Sequence, residues 1–484
     1  MATPIPPNAA DFTLEELETA TRGRCMNTAE VARVLGVCTD TRAVRPGQLF
    51  VALKGERHDG HAHLDEARRL GASAAVVQRG TEWTGPRIEV DDTLEALGEL
   101  ARAFVRRARR SRARPTVAIT GSAGKTTTKE LTTAAVRAVF GPTLSTIGNL
   151  NNRVGVPMTL LTLRDEHRAL VIECGTNARG EIAALGAIVE PDVSVVLNAD
   201  AGHTAGLGTI EDVADEKGAL FAAASKMVVA NADDPASLGR VERATVPAIT
   251  FGAREGSDVR LVERRAAMDG TLELRIDLPA HMVVGTTPSV RVHLAIAGHG
   301  AALDAAAALA ALVALHGPLS REQLGAATGA LASVRPIAGR FSPIAFGTSL
   351  VIDDTYNANP RSMRTSIDAA AELAASVDGR LVLVLGDMLE LGDQTERWHA
   401  ELGAQARRVR AAVFVAFGDA MAVAARTVAQ AGNVKLPIVV HARMIEHAVA
   451  LVRDLLAPRD VVLVKGSRGM QMERFVALLT GTRA

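Results

Sequence analysis

The sequence predicts an α/β fold that is divided into three domains. The chain has 484 residues, and a single domain usually takes about 150. Short apolar runs alternate with helical stretches along most of the chain, which favours parallel β-α units. These runs are apolar throughout, as in strands that are buried on both faces of a sheet. We expect the domains to cover residues 1–113, 114–335 and 336–484.

The first domain should be a small α/β unit. Its strand candidates are residues 48–53 (QLFVAL) and 73–78 (SAAVVQ), with a helical stretch between them. The domain ends in an arginine cluster, seven arginines between Arg102 and Arg114, followed by Pro115. The simplest interpretation of this cluster is a solvated helix end that runs into a linker.

The second and third domains should each contain a parallel sheet. Apolar runs in the second domain occupy residues 116–120, 169–174, 193–198 and 226–231. From about residue 259 to residue 294 the pattern changes to strict alternation, which predicts a small antiparallel addition.

The third domain repeats the arrangement with runs at residues 349–354, 380–386, 411–418 and 460–466. It should form a second doubly wound, Rossmann-like sheet. Ligands bind at the carboxyl ends of strands in such sheets. The polar residues that end these runs are therefore site candidates: Asp353, Asp354, Asp387 and Lys465.

Composition narrows the class of partner and the compartment. The 54 basic and 54 acidic side chains balance, whereas nucleic-acid binding usually requires a basic excess. Three cysteines without metal-ligand spacing favour a reducing compartment. The N-terminus lacks the apolar stretch of a signal peptide, and the alanine-rich run at 301–315 predicts a buried helix. We expect a soluble cytoplasmic protein with no nucleic-acid partner and no membrane insertion.

The segment TGSAGKTTTKE predicts a phosphate-binding turn. A strand, a glycine-bearing loop and a helix N-terminus together present backbone N–H groups to an anion. Lys125 can neutralise the outer phosphates, and the hydroxyl of Thr126 suits a Mg²⁺ ion. We expect nucleotide contacts from the whole loop: Gly121, Ser122, Ala123, Gly124, Lys125, Thr126 and Thr127. The alternative is an ordinary strand-to-helix turn.

The spacing inside this loop is unusual. Common nucleotide loops have four residues between the first glycine and the Gly-Lys pair, but this chain has only Ser122 and Ala123. The shortened loop resembles that of the Mur ligases and their folylpolyglutamate synthetase relatives. Further motifs resemble Mur ligases in order and spacing over nearly the whole chain: residues 39–61, 146–161, 354–363, 386–392 and 464–473.

The resemblance implies an ATP-dependent amide ligase. It is greatest to the family members that join D-alanyl-D-alanine to UDP-N-acetylmuramoyl-tripeptide in peptidoglycan precursor synthesis. In such enzymes ATP and Mg²⁺ activate a carboxylate as an acyl phosphate, which an amine then attacks. The three domains would bind the UDP-substrate, bind ATP through a P-loop, and complete the ligase site. A monomer is expected.

The resemblance also implies a set of metal ligands. Thr126 and Glu173, at the end of the run 169–174, would meet one Mg²⁺ ion. His203 would bind a second. Lys217 resembles a lysine that becomes a carbamate and steadies the second ion. Without the resemblance, Glu173 is a solvated strand-end acid, His203 a structural histidine and Lys217 a surface lysine. The expected catalytic set is Lys125, Glu173, His203 and Lys217.

Nucleotide contacts are expected beyond the loop. Arg340 resembles the family arginine that reaches ATP from the connection into the third domain. Asp354, Tyr356 and Asn357 resemble the stretch that meets the ribose and base, and an aromatic face suits a purine. The alternative roles are helix capping and packing. Lys465 should lie near the phosphates or the incoming amine.

Two departures from the family pattern affect this site. Family members usually carry Gly-x-His-Asn-x-x-Asn after the antiparallel part, with an asparagine near the adenine. Here Gly300 and Ala301 replace the His-Asn pair, and Asp304 replaces the last asparagine. Ala205 stands where related ligases often have glutamate. We expect Asp304 to contact the nucleotide with altered affinity or base preference.

The UDP-substrate should be bound by two groups of residues. The first domain would supply Asp40, Thr41, Arg42, Phe50, Lys54 and Gly55. A loop of the second domain would supply Asn149, Asn151 and Asn152.

Two alternatives remain at this stage. One is another Mur-type or folylpolyglutamate-type ligase. The other is a non-catalytic nucleotide-binding scaffold, motivated by Gly300, Ala301 and Asp304. The third residue of the tripeptide, diaminopimelate or lysine, stays open.

Overall fold

A computed structural model describes residues 3–55, 58–200, 207–266, 271–296, 298–430 and 438–481. The architecture is α/β with three main sheets, which confirms the predicted fold class. The three sheets follow one another along the chain, and each belongs to one third of it.

The first sheet is small and mostly parallel. The part of the chain that contains it, the first unit, has the elements β1 (Asp11–Thr13), α1 (Leu14–Thr21), β2 (Arg24–Met26), β3 (Arg33–Leu35), β4 (Val37–Cys38), β5 (Leu49–Val51), α2 (Leu64–Arg69), β6 (Ala74–Gln78), β7 (Arg87–Val90) and α3 (Thr93–Ser111). Strands β1 and β3 pair in a separate two-stranded sheet. The strand order of the first sheet is β2-β7-β6-β5-β4, with only β2 antiparallel to its neighbour. Helix α1 begins at a capping box, in which Thr13 and Glu16 satisfy each other's backbone N–H groups.

The central part of the chain, from here on the central unit, contains the largest sheet. Its elements are β8 (Thr116–Thr120), α4 (Lys125–Phe140), β9 (Thr143–Ser145), α5 (Gly155–Leu160), β10 (Ala169–Glu173), α6 (Glu181–Val189), β11 (Val193–Val196), α7 (Ile210–Gly218), β12 (Met227–Asn231), α8 (Pro235–Leu238), β13 (Ala248–Gly252), β14 (Val259–Ala266), β15 (Leu272–Asp277), β16 (Val283–Val284), β17 (Ser289–Leu294), α9 (His299–His316), β18 (Leu319–Ser320) and α10 (Arg321–Ser333).

The order of the nine strands in this sheet fixes where a ligand can bind. The order is β17-β15-β14-β13-β12-β11-β8-β10-β9. The strands β14, β15 and β17 pair antiparallel, which confirms the predicted addition. After β8 the chain builds β9 and β10 on one side and β11 onward on the other. The carboxyl end of β8 is therefore a topological switch point, where open α/β sheets bind ligands.

Helix α9 lies in the core of the central unit. Alanine and leucine cover nearly all of its surface, as expected for a helix that is buried on every side. It is the one helix among the described residues that is long and apolar enough to cross a membrane, and 72% of its apolar window is buried inside the protein. The predicted buried helix at 301–315 is confirmed.

The last part of the chain, from here on the C-terminal unit, contains the third sheet, which is also mostly parallel. Its elements are β19 (Ser342–Phe346), β20 (Ser349–Asp354), α11 (Pro360–Ser376), β21 (Leu381–Gly386), α12 (Thr395–Arg408), β22 (Val413–Phe417), α13 (Met421–Ala429), β23 (Ile438–Ala442), α14 (Ile445–Leu455), β24 (Val461–Lys465) and α15 (Glu473–Thr480). The order is β19-β20-β24-β21-β22-β23, parallel except for β19. The carboxyl ends of β20, β24 and β21 therefore lie side by side.

The arginine cluster fastens the first unit to the central one. Arg102 and Arg106 pair with Glu190 of the central unit, and Arg109 donates to the Glu190 carbonyl oxygen at 3.1 Å. Arg107 turns the other way and pairs with Asp11. The interpretation of this segment as a solvated helix end holds for the exposed Arg106, Arg110 and Arg112, but it missed the ion pairs with anions that are distant in sequence.

Ion pairs of Arg361 and Arg264 join the central unit to the C-terminal one. Arg361, at the start of α11, donates to Asp234 at 2.9 Å. Arg264 on β14 makes a bidentate pair with Glu372 on α11, at 2.7 and 2.9 Å. Arg361 also lines the cavity between the two sheets.

Candidate active site

A cavity of about 800 Å³ lies between the central and C-terminal units. Its lining comes from the carboxyl ends of strands in both sheets and from the N-termini of α4, α9 and α11. The predicted phosphate loop, Glu173, Asp304, Arg340 and the 354–357 segment all contribute to it. The structure therefore brings together residues that lie more than 200 positions apart in sequence.

The phosphate loop follows β8 and leads straight into α4. Gly124 caps this helix with a φ of 84°, a backbone conformation that favours glycine. A side chain at position 124 would meet the Asp304 carboxylate, since a Cβ built there would lie 2.6 Å from Oδ1. The helix begins at Lys125, so its free N–H groups and its dipole face the cavity.

Asn198 fixes the shape of this loop. The Ala123 N–H donates to Asn198 Oδ1 at 2.9 Å, and Asn198 Nδ2 donates to the Ala123 carbonyl oxygen at 3.1 Å. The Ser122 N–H donates to the Asn198 carbonyl oxygen at 3.0 Å. Asn198 was not among the predicted site residues, although its position at the end of the apolar run 193–198 was a usable signal.

Lys125 and Thr126 both face the anion site. Lys125 Nζ donates to the Gly121 carbonyl oxygen at 2.7 Å, across the loop. Burial lowers the pKa of Lys125, and the nearby Glu173 carboxylate opposes that shift. Thr126 is 5% exposed, and it lines the cavity.

Glu173 ends β10 and is 1% exposed. Its backbone N–H donates to Thr146 Oγ1 at 2.9 Å, and its Oε1 accepts from Asn151 Nδ2 at 2.7 Å. Its Oε2 is buried and has no hydrogen-bond partner among the described residues. A buried carboxylate oxygen without a partner is costly, and a hard cation such as Mg²⁺ would satisfy it. The residues present therefore fit a metal at this position.

Lys217 lies on α7 and is 1% exposed. Burial and, to a smaller extent, the positive charge of Lys125 lower its pKa to about 7, against the opposing effect of Glu216. A lysine in this environment is partly a neutral amine near neutral pH, and its burial rules out the alternative of a surface lysine. His203 and Ala205 lie outside the described residues.

Asp304 packs against the phosphate loop from α9. Its Oδ1 accepts from Thr128 Oγ1 at 2.9 Å. Burial raises the pKa of Asp304 to about 7, while Thr128 and the charges of Arg340 and Arg361 oppose the shift. The carboxyl is therefore partly protonated near neutral pH, and in that form it has a donor, as asparagine does.

The small residues beside it lie close to α11. A Cβ at Gly300 would lie 3.6 Å from Thr365 of α11, and one at Gly298 would lie 3.3 Å from Ala369. A Cβ at Gly300 would thus make only an ordinary contact with α11, whereas one at Gly298 would be tight.

The C-terminal side of the cavity carries an aromatic stack and a buried ion pair. The Arg340 guanidinium lies 4.1 Å from the Tyr356 ring centroid, and that of Arg468 lies 5.8 Å from it. Lys465 donates to Asp354 at 2.6 Å and to the Asn357 carbonyl oxygen at 3.0 Å. Asp354 and Lys465 are 8% and 2% exposed.

The residues that were expected to bind the UDP-substrate lie in two separate places. Asn149, Asn151 and Asn152 line the cavity, whereas none of the described lining residues comes from 40–55.

In the first unit, Asp40 pairs with Arg42, whose guanidinium lowers the pKa of that carboxyl. Thr41 donates to Glu66 at 3.1 Å, and Lys54 and Gly55 are exposed. Phe50 is 1% exposed and packs in the core, so only its backbone is available to a ligand.

Comparison with known families matches most of the chain. The Mur ligase family catalytic domain matches residues 33–105, the Mur ligase middle domain residues 119–312, and the glutamate ligase domain residues 339–468. A UDP-N-acetylmuramoyl-tripeptide–D-alanyl-D-alanine ligase from Escherichia coli is 36% identical over 452 residues, which cover 92% of this chain and 93% of that protein.

The chain belongs to the Mur ligase family.

Solved Mur ligase structures share its architecture. A MurF structure from Acinetobacter baumannii is 30% identical and has a TM-score of 0.85, covering 99% of this chain and 100% of that one. MurF ligase from Thermotoga maritima, solved in complex with ADP, is 28% identical with a TM-score of 0.78, covering 92% of this chain and 97% of that one. The three-domain Mur ligase fold therefore extends over the whole chain.

Proposed function

We propose that this Mur ligase is an ATP-dependent enzyme that adds D-alanyl-D-alanine to UDP-N-acetylmuramoyl-tripeptide. The observation that carries the proposal is the cavity in which the phosphate loop, the half-paired Glu173 and the edge of the C-terminal sheet face one another. The named relatives, which match across nearly the full chain, support the choice of substrates.

The reaction has two steps. A terminal carboxylate oxygen of the tripeptide attacks the γ-phosphorus of ATP, the bond to the β-γ bridging oxygen breaks, and ADP leaves. The amine of D-alanyl-D-alanine then attacks the carbonyl carbon of the acyl phosphate. The C–O bond breaks, inorganic phosphate departs with the former carboxylate oxygen, and the amine loses a proton. Because phosphate is a good leaving group, the protein mainly has to position and neutralise charge.

The phosphate loop does most of this work in the first step. The N–H groups at the start of α4 and the Lys125 ammonium bind the outer phosphates, and Asn198 holds the loop in the required shape. On the other side, Arg340 and Tyr356 offer a cation and an aromatic face for the ribose and base, with Asp354 and Asn357 beside them.

Magnesium is the ion that the donor set fits best. Thr126 and Glu173 would hold one ion, and His203 is the expected ligand of a second. Bound there, magnesium would offset the repulsion between the attacking carboxylate and the triphosphate. Both donors in the described part are oxygens, the ligand type that Mg²⁺ prefers.

Lys217 is proposed to carry a carbamate, formed by its amine with CO₂, that steadies the second ion. Carbamate formation consumes a neutral amine, and the burial of Lys217 supplies one by lowering its pKa to about 7. The modification would turn a buried cation beside Lys125 into an anion, which removes the repulsion between the two lysines.

The UDP-substrate residues and the roles of the three domains are proposed on the same basis. The first unit, residues 1–113, would hold the uridine and diphosphate through Asp40, Thr41, Arg42, Lys54 and Gly55. ATP would bind in 114–335, and 336–484 would close over it. A monomer in the cytoplasm, without membrane insertion, stays a prediction from the sequence.

Phosphate release with defined substrates tests the function. We expect release only when ATP, UDP-N-acetylmuramoyl-tripeptide and D-alanyl-D-alanine are all present. A panel with diaminopimelate- and lysine-containing tripeptides, and with other amino substrates, separates this activity from other Mur-type or folylpolyglutamate-type ligations. Binding of ATP with no release under any combination would instead support the non-catalytic scaffold.

A further inference from the structure

The three asparagines of the loop 148–152 are not equivalent. Asn149 is exposed at the cavity. Asn152 accepts from the Gly155 N–H at 2.8 Å and the Val154 N–H at 3.2 Å, so it bonds to the backbone at the start of α5. Asn151 turns toward the sheet and donates to Glu173. The sequence analysis gave all three to the UDP-substrate, but their contacts differ.

Asn151 is held rigidly where it meets Glu173. Its carbonyl oxygen accepts from the Gly175 N–H at 2.8 Å. A Cβ built at Gly175 would lie 2.8 Å from the Asn151 amide group, so the amide packs flat against a residue that has no side chain. Because an ionised carboxylate only accepts, the amide nitrogen must be the atom that faces Glu173.

This contact decides which carboxylate oxygen of Glu173 stays available. Oε1 is occupied by Asn151 at 2.7 Å, and Oε2 is buried with no partner in the part of the chain that the structure describes. The backbone of Glu173 is fixed as well, since its N–H donates to Thr146 Oγ1 at 2.9 Å. One segment, residues 146–151, therefore sets both the position and the rotation of the carboxylate.

We propose that Asn151 is a positioning residue that orients Glu173 toward the metal, and that it does not contact the UDP-substrate. The proposal rests on the proposed function, because it takes Glu173 as a magnesium ligand. Partners that orient metal ligands typically contribute 10- to 100-fold to metal affinity. The same contact links the substrate loop to the metal site, since Asn149 lies only two residues away.

Metal binding tests the proposal without turnover. Mn²⁺, a paramagnetic probe for the magnesium site, would be titrated into the full chain with a non-hydrolysable ATP analogue and followed by electron paramagnetic resonance. We expect Asn151→Ala to weaken Mn²⁺ binding about 10-fold, whereas Asn149→Ala leaves it unchanged. Asn151→Leu keeps the size of the side chain without its donor, so it should show the same loss if Asn151→Ala folds poorly.

A second titration separates the two roles. Without divalent metal, affinity for UDP-N-acetylmuramoyl-tripeptide should be unchanged in Asn151→Ala and reduced in Asn149→Ala. In a Glu173→Gln background, Asn151→Ala should have no further effect on Mn²⁺, because its effect acts through that carboxylate.

The outcomes are distinguishable. Equal Mn²⁺ affinity in wild type and Asn151→Ala overturns the positioning role while leaving the proposed function standing. Weakened UDP-substrate binding with unchanged Mn²⁺ binding makes Asn151 a substrate contact. Failure of wild type to bind Mn²⁺ with the nucleotide overturns the metal assignment, and the positioning role with it.

Discussion

The carboxyl edges of the central and C-terminal sheets each carry carboxylate and lysine side chains. The two edges differ in how many hydrogen bonds and ion pairs these side chains make. At the C-terminal edge, Asp354 accepts from the Phe341 N–H, Ser366 and Lys465. At the central edge, Glu173 has one oxygen bonded to Asn151, and none of the described residues bonds to the other. Both carboxylates are buried, so the difference lies in how completely their neighbours satisfy them.

The lysines at the two edges differ in the same way as the carboxylates, in how completely their neighbours neutralise them. Lys465 is neutralised by Asp354, whereas Lys125 and Lys217 repel each other and both have lowered pKa values. Unsatisfied buried charge is stable only where something else binds, which is why perturbed groups mark functional sites. The comparison indicates that the central edge performs the chemistry and that the C-terminal edge serves as a rigid wall.

The largest effect should come from Lys125→Met. Removing the ammonium from the phosphate loop should lower kcat at least about 1,000-fold, because the outer phosphates lose their fixed counter-charge. Phosphate release measures the loss, and the thermal unfolding temperature should barely change. Lys226→Met, at the amino end of β12, is the matched control and should keep near wild-type activity.

Lys217→Ala should be the next most damaging change. We expect a loss of about 100-fold in kcat, with partial recovery on adding a short carboxylate such as acetate, which replaces the carbamate anion. In the wild type, activity should fall below pH 7, because the amine whose pKa is about 7 becomes protonated and no longer reacts with CO₂. Full activity of the variant in bicarbonate-free buffer would contradict the carbamate.

At the C-terminal edge the main effect should be on stability. Lys465→Met leaves Asp354 buried without its cation, which should lower the free energy of unfolding by about 3 kcal/mol. The double variant Lys465→Met/Asp354→Leu should lose less than the single one, as urea denaturation would show. If Lys465→Met instead left stability intact and abolished phosphate release, the C-terminal edge would take part in the chemistry, which would contradict its role as a rigid wall.

Asp304→Asn should remove a pH dependence of stability. The pKa of this carboxyl is raised to about 7 in the folded protein, against about 3.9 unfolded. Between these values the folded state binds more protons, so stability falls as pH rises from about 4 to 7 and stays low above it. The variant should be more stable by on the order of 1–2 kcal/mol at pH 8, with little gain at pH 4. Urea denaturation at both pH values measures this, and an equal effect at both would refute it.

Tyr356→Leu should have the smallest effect. Loss of the ring removes the stack with Arg340, worth about 0.5–2 kcal/mol, and should raise the KM for ATP a few-fold with kcat nearly unchanged. Tyr356→Phe keeps the ring and serves as the control. A large drop in kcat for Tyr356→Leu would give the C-terminal edge a chemical role.

The sequence allowed the fold class, the strand ends and the phosphate loop to be predicted, because these depend on local patterns. Glu173 could be placed at a strand end, but its unpaired oxygen could not, since that depends on Asn151 from another segment. Asn198 and Arg361 were missed because their importance comes from partners on other strands and on another sheet. The ion pairs of the arginine cluster were missed for the same reason, since Glu190 lies more than 75 residues away.

The most direct test of the acyl phosphate mechanism follows one carboxylate oxygen atom into the released phosphate. The terminal carboxylate of UDP-N-acetylmuramoyl-tripeptide would be labelled with ¹⁸O, turned over with ATP and D-alanyl-D-alanine, and the released phosphate weighed by mass spectrometry. We predict one ¹⁸O atom in each phosphate, because the carboxylate oxygen leaves with the phosphoryl group. Unlabelled phosphate accompanying amide formation would contradict an acyl phosphate at the central edge.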